Sequence, residues 1–141
     1  MTDAARQVLD ELVAAMQVLP SMPAVYEDPT EAIAEAQIPA VAVEPVRNPA
    51  TPLGESHGDD WIEQHRFLVG ITALGRSPAE RDQLGLEAKQ AVIASTHVGL
   101  RRRYVDTEYG RTTEGALRAY GARVLFEIEY LTQSTAPDQM I

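Results

Sequence analysis

The chain has 141 residues, no cysteine and a formal charge of −9, from 21 acidic and 12 basic residues. That length suits a single domain able to bury a core without covalent staples, and the lack of cysteine excludes disulfides, thiolate metal sites and a cysteine nucleophile. The acidic balance disfavours adhesion to nucleic acid or anionic membrane, though it suits a protein that surrounds DNA without holding it. No apolar run approaches the roughly 20 residues that span a bilayer, and the opening Met1-Thr2-Asp3-Ala4-Ala5-Arg6 does not read as a secretory leader.

Asp3 or Thr2 caps a first helix predicted to run to about Leu19. Ala5, Val8, Leu9, Leu12, Val13 and Met16 fall at helical spacing on its buried side, and Pro20 and Pro23 stop it. Ala24-Val25-Tyr26 reads as a short strand, Glu27 to Thr30 as a turn, and Glu31 to Gln37 as one or two helical turns. Ile38 to Val46 reads as a strand. Its prolines confine it to an edge or limit its paired part to Ala40 through Glu44.

Residues 47–60 collect prolines, glycines and small polar groups without an apolar period, which predicts a long exposed loop. Trp61 to Leu74 then alternates, with Phe67, Val69, Ile71 and Ala73 on one face. The loop and its flanking strands together predict an extended hairpin arm. Ser77-Pro78-Ala79-Glu80 is a helix start with serine at the N-cap, proline at N1 and glutamate at N3. The second helix should end near Ser95, with Leu84, Ala88, Ala91, Val92 and Ser95 buried. Gly85 inside it, costing about 1 kcal/mol against alanine, suggests a tightly packed neighbour.

Leu100 to Tyr109 reads as a strand and Tyr109 to Gly115 as a turn. The closing strand alternates clearly: Ala122, Val124, Phe126, Ile128 and Tyr130 on the buried side, Arg123, Glu127 and Glu129 on the wet side. Residues 132–141 carry turn residues and no period, the pattern of a mobile tail after a single domain over 1–131. These elements predict an α+β fold: a mostly antiparallel open sheet of about four strands, two helices packed on one face, and a long hairpin arm.

Chemistry finds little purchase. Ser56, His57, Asp59 and Asp60 include the residue types of a catalytic triad, but they lie side by side in the loop, whereas triad members converge from separate rigid elements. Glu63 and His65 share one strand face and supply only two metal ligands, so a solvated pair or a contact to another subunit is the simpler reading. Glu127 and Glu129 lack the opposed partner that glycoside hydrolysis needs, and no Gly-rich turn with lysine precedes a helix. We therefore expect no catalytic, cofactor or metal residues. In a strand, Arg101-Arg102-Arg103 divides, with Arg101 and Arg103 on one face and Arg102 on the other. Pairing with carboxylates is its plain reading and a subunit or DNA contact its sharper one. Trp61, Tyr104, Tyr109, Tyr120 and Tyr130 read as core or interface aromatics.

Taken in order, the helix Asp3 to Leu19, the segment Pro23 to Tyr26, the strand Ile38 to Val43, the arm Asn48 to Asp60, the strand His65 to Ala73, the helix Ser77 to Ser95 and the strand ending Glu129 to Thr132 cover nearly the whole chain. This order resembles the tail terminator proteins of long-tailed bacteriophages, also called minor tail or tail completion proteins. The resemblance rests on element lengths and apolar patterns. It implies a non-enzymatic virion subunit, assembled in the host cytoplasm, whose copies form a ring, typically a homo-hexamer. Such a ring caps the tail tube, ends tail elongation and offers the surface on which the DNA-filled head docks. The implied partners are further copies of the chain, the tail tube protein and head–tail connector or neck proteins, with DNA passing through unbound and no membrane involved. Asn48, Leu53, Glu55, His57, Asp59, Asp60, Trp61, Arg101, Arg102 and Arg103 are the candidate contacts to subunit or tube. The alternatives are a head–tail connector, a small ligand-binding or enzymatic α+β domain, and an acidic protein masking a partner's nucleic-acid surface.

Overall fold

A computed structural model describes residues 3–29, 33, 37–47, 50–57, 60–95, 101–114, 117–133 and 136–140. The elements run α1 (Asp3–Met16), β1 (Ala24–Glu27), β2 (Ala40–Arg47), β3 (Ala50–His57), β4 (Asp60–Gly75), α2 (Pro78–Ala94), β5 (Arg101–Glu114), β6 (Leu117–Gln133) and β7 (Ala136–Met140). They make an α+β fold with both helices on one face of an open, mixed sheet, ordered β1-β2-β4-β6-β5, with β3 beside β4 and β7 beside β6. Among the described residues, only the β1–β2 pair is parallel.

Among the described residues the sheet has seven strands, against the expected count of about four. The additions come from segments that carry no apolar alternation. Residues 50–57, read as loop, pair with β4 from Ala50↔His65 to His57↔Asp60. Strand β2 pairs with the other half of β4, from Ala40↔Leu74 to Arg47↔Leu68. Strands β2 and β3 thus follow one another along a single side of β4, and the expected arm is the far end of one long hairpin. Likewise Tyr109–Glu114, read as a turn, continues β5 against β6 as far as Glu114↔Leu117. Ala136–Met140, inside the expected tail, form β7. Backbone pairing to a neighbouring strand needs no apolar side chain, and that is why periodicity missed these pieces.

Strand β2 is not an edge. Its first half lies between β1 and β4, and pairing with β4 continues past Glu44 to Arg47. Pro45 is tolerated because β1 has ended at the Glu27↔Val43 pair, so no neighbour on that side asks for its missing N–H. The expected helical turns at 31–37 fall almost entirely outside the described residues.

The core forms where the predicted stripes meet. Val8, Leu9, Leu12 and Met16 of α1, with Leu84, Ala88 and Val92 of α2, are fully buried against Val41, Val43, Phe67, Val69, Ile71, Val124, Phe126, Ile128 and Tyr130. α1 packs on β1, β2 and β7, and α2 on β4, β6 and β5. The start of α2 follows its sequence signal. Ser77 Oγ accepts from the Glu80 N–H at 3.1 Å, and Glu80 Oε1 accepts from the Arg76 N–H at 2.9 Å. Gly75 permits the tight strand-to-helix turn, because a Cβ there would stand 2.5 Å from the Arg81 nitrogen.

Candidate functional site

Three surfaces concentrate charged or aromatic groups: the outer face of the sheet, the buried end of β4, and a groove between α2 and β5. The outer face is built by alternation. Opposite each other across β4, β6 and β5 stand Arg66, Glu129 and Arg101, and beside them Glu127 faces Arg103. Arg103 reaches Glu127 at 3.3 Å and Arg66 reaches Glu129 at 3.9 Å. Arg123 crosses over Gly70 towards Glu44 at 4.0 Å; a Cβ on Gly70 would lie 2.6 Å from Arg123 Nε, so the glycine makes room for the crossing. These half-exposed pairs contribute about 0–1 kcal/mol each, which makes this face a solvated polar surface that folding itself hardly uses.

The arginine triplet divides as strand geometry requires. Arg101 and Arg103 join that outer face, while Arg102 turns to the helix side and donates from Nη2 to the Ile93 carbonyl at 3.4 Å. A bulge at Val105 then resets the parity of β5, so that Tyr104, Thr107 and Tyr109 also face α2.

At the arm end of β4, His65 does not stand on a solvated face; the side chain of Glu63 lies outside the described ones. His65 is 5% exposed, continues the buried series of Phe67 and Val69, and stacks on Tyr130 with ring centroids 4.6 Å apart and planes within 2°. Its Nε2 lies 2.8 Å from Thr132 Oγ1. The parity that buries Phe67 also buries His65, a signal the sequence contained. Among the described residues, no group of three or more His, Asp or Glu is placed to hold a metal ion, and no helix is long and apolar enough to cross a membrane.

Glu87 is a buried polar group that the sequence did not announce. It is 6% exposed on α2 and accepts from the Ser21 N–H at 2.9 Å, the Ser21 hydroxyl at 2.5 Å and Gln83 Nε2 at 2.9 Å. Burial pushes its carboxyl up, but the three hydrogen bonds together outweigh that and hold it below the usual carboxylate range. The charge pins the turn after α1 to α2. With all three hydrogen bonds spent on Ser21 and Gln83, its role is structural.

The groove lies beside it. Arg81, Asp82, Gly85, Leu86 and Lys89 of α2 form one wall; Tyr104, Thr107 and Tyr109 of β5 form the other, over a floor of Ala122 and Val124. Its volume is about 230 Å³. Lys89 Nζ sits 3.8 Å from the centroid of the Tyr104 ring, and the Arg81 guanidinium 4.9 Å from that of Tyr109. Tyr104 also touches Phe126 edge-on at 6.1 Å and shares a 2.5 Å hydrogen bond with Thr107. Arg81 is partly offset by Asp82 at 2.9 Å. No carboxylate pairs with Lys89 among the described residues. Gly85 is not crowded as its helical position suggested: a Cβ would meet only Val124, at 4.0 Å.

Of the candidate contacts, Leu53, Glu55 and His57 lie on β3 and Asp60 and Trp61 on β4, all within the hairpin end. Asn48 and Asp59 lie outside the described residues. The hairpin end and the Arg101–Arg103 segment flank opposite sides of β6 and its pairing with β4.

No protein-family model matches this chain, and no curated protein matches it either. Among solved structures, it is similar to a chain of the virion of a native gene transfer agent particle, at 13% identity and a TM-score of 0.43, over 90% of this chain and 91% of that one.

Proposed function

We propose that this protein is a structural subunit of a phage-like virion, specifically a tail terminator. Its copies close into a ring on the end of the tail tube, stop tube growth and present the surface to which the head docks. The tube protein and the head–tail connector proteins are its partners, and DNA passes through the ring without being gripped. In this reading the protein is not an enzyme.

The observation that carries the reading is strand length. β4, β5 and β6 run for 16, 14 and 17 residues, against a usual 5 or 6 or so, while α1 and α2 have 14 and 17 residues and so are only about 21 and 26 Å long. The strands extend well beyond what two helices can cover, towards both ends of the sheet. Extensions of this kind suit a subunit that reaches its neighbours in a heterologous, ring-closing arrangement. The order of elements agrees with the resemblance seen in the sequence, and the acidic balance suits a channel for a polyanion.

Negative-stain microscopy of the purified protein, alone and mixed with tail tubes, tests the proposal. Rings seated on tube ends, with elongation halted, are the expected result. Tubes that keep growing with bare ends would refute it, and rings that bind the connector but not the tube would move the protein to the neck.

A further inference from the structure

We infer that the groove between α2 and β5 is the seat for the acidic hairpin end of a second copy of this chain, residues 50–63. The inference rests on the ring reading and specifies its contact.

Three observations favour an occupant. First, the groove gathers Lys89 and Arg81 over tyrosine rings in a chain of charge −9. Lys89 is the only lysine of the sequence and has no carboxylate partner among the described residues. A cation held on an aromatic face and facing an open cleft is arranged to receive an anion. Second, Gly85 keeps the α2 wall of the groove open despite the poor helix propensity of glycine, although its own chain leaves room for a Cβ. Third, the apolar rim is uncovered: Leu86 is 49% exposed and Tyr109 67%.

Charge selects the partner. Residues 50–63 contain Glu55, Asp59, Asp60 and Glu63 and neither lysine nor arginine. A chain cannot place this segment in its own groove. The groove floor, Ala122 and Val124, pairs with Ala73 and Ile71 of β4, whereas the hairpin end pairs with the beginning of β4. From Asp60 to Ala73 is about 44 Å along a paired strand rising roughly 3.4 Å per residue. The contact is therefore intermolecular and head-to-tail, the arrangement that closes into rings or continues as filaments.

The single lysine makes the test specific. A carbodiimide joins an amine directly to a carboxylate, and Lys89 carries the only side-chain amine. Equal parts of ¹⁵N-labelled and unlabelled full-length protein are treated at concentrations where assembly is measured in parallel by native mass spectrometry. The expected product is an amide between Lys89 and a carboxylate of residues 50–63, in mixed heavy–light pairs. In the same experiment Lys89→Gln should keep its circular dichroism and melting temperature but need at least about tenfold more protein to assemble, and Lys89→Arg should restore assembly. If rings form while Lys89 couples only to Asp82 or not at all, or if Lys89→Gln assembles like the parent, the seat is refuted and the ring reading stands. If no assembly occurs at any concentration, both are refuted.

Discussion

The two helices lie side by side on the same face of the sheet, yet they are used differently. α1 commits its apolar stripe to the core: Ala4, Ala5, Val8, Leu9, Leu12 and Met16 are fully buried and Val13 packs against them partly buried. α2 buries Leu84, Ala88 and Val92, adds the carboxylate of Glu87, and leaves Ile93 and the groove-lining Leu86 about half exposed. A helix needed only for folding would turn its large apolar residues inward, as α1 does. The difference indicates that one edge of α2 is shaped for something other than the core of its own chain.

The largest effect should come from α1. Leu12→Ala removes a fully buried side chain and should cost about 2–5 kcal/mol in denaturant unfolding. A loss below 1 kcal/mol would mean that α1 is not the core helix described here. Next comes Glu87→Ala, which strands the Ser21 N–H and hydroxyl and should cost about 1–3 kcal/mol.

The same carboxylate predicts a pH dependence. Because its folded pKa is lowered, its contribution is present in full above the unfolded carboxylate pKa and fades as pH falls through the folded one. The melting-temperature gap between the parent and Glu87→Gln should therefore be wide at pH 7 and shrink below about pH 4. A gap that widens on acidification would contradict the sign.

Smaller effects sharpen the contrast. Ser77→Ala removes the N-cap of α2 and should cost about 0.5–2 kcal/mol. Gly85→Ala should instead gain up to about 1 kcal/mol, since the added methyl meets only Val124; a destabilised variant would show that the floor is tighter than described. Leu86→Ser should change monomer stability by no more than about 0.5 kcal/mol while weakening self-association. A loss of several kcal/mol would place Leu86 in the core and erase the distinction between the helices.

The sequence was most legible where side chains alternate between apolar and polar. The closing strand shows this best: Ala122, Val124, Phe126, Ile128 and Tyr130 are all buried as read, and Ser77-Pro78-Ala79-Glu80 starts α2 as read. Legibility failed where backbone pairing decides. Residues 50–57 and 109–114 are strands because a long partner strand offers them hydrogen bonds, and their composition of glycine, proline and threonine gave no period to find. The groove was invisible for a different reason. It is assembled from Lys89, Arg81, Tyr104 and Tyr109, which come from a helix and a strand whose facing changes parity at the bulge at Val105. The burial of His65 was available from parity, because it stands two residues before Phe67 on the same face.

Native mass spectrometry across a concentration series, compared with a chain whose residues 52–63 are replaced by Asn-Gly, tests the self-assembly claim most directly. That replacement closes β3 and β4 at the Thr51↔Gln64 pair with a two-residue turn suited to a hairpin. One discrete closed oligomer is expected for the full chain and a folded monomer for the shortened one. A full-length protein that stays monomeric throughout, or a shortened one that assembles equally well, would contradict the claim.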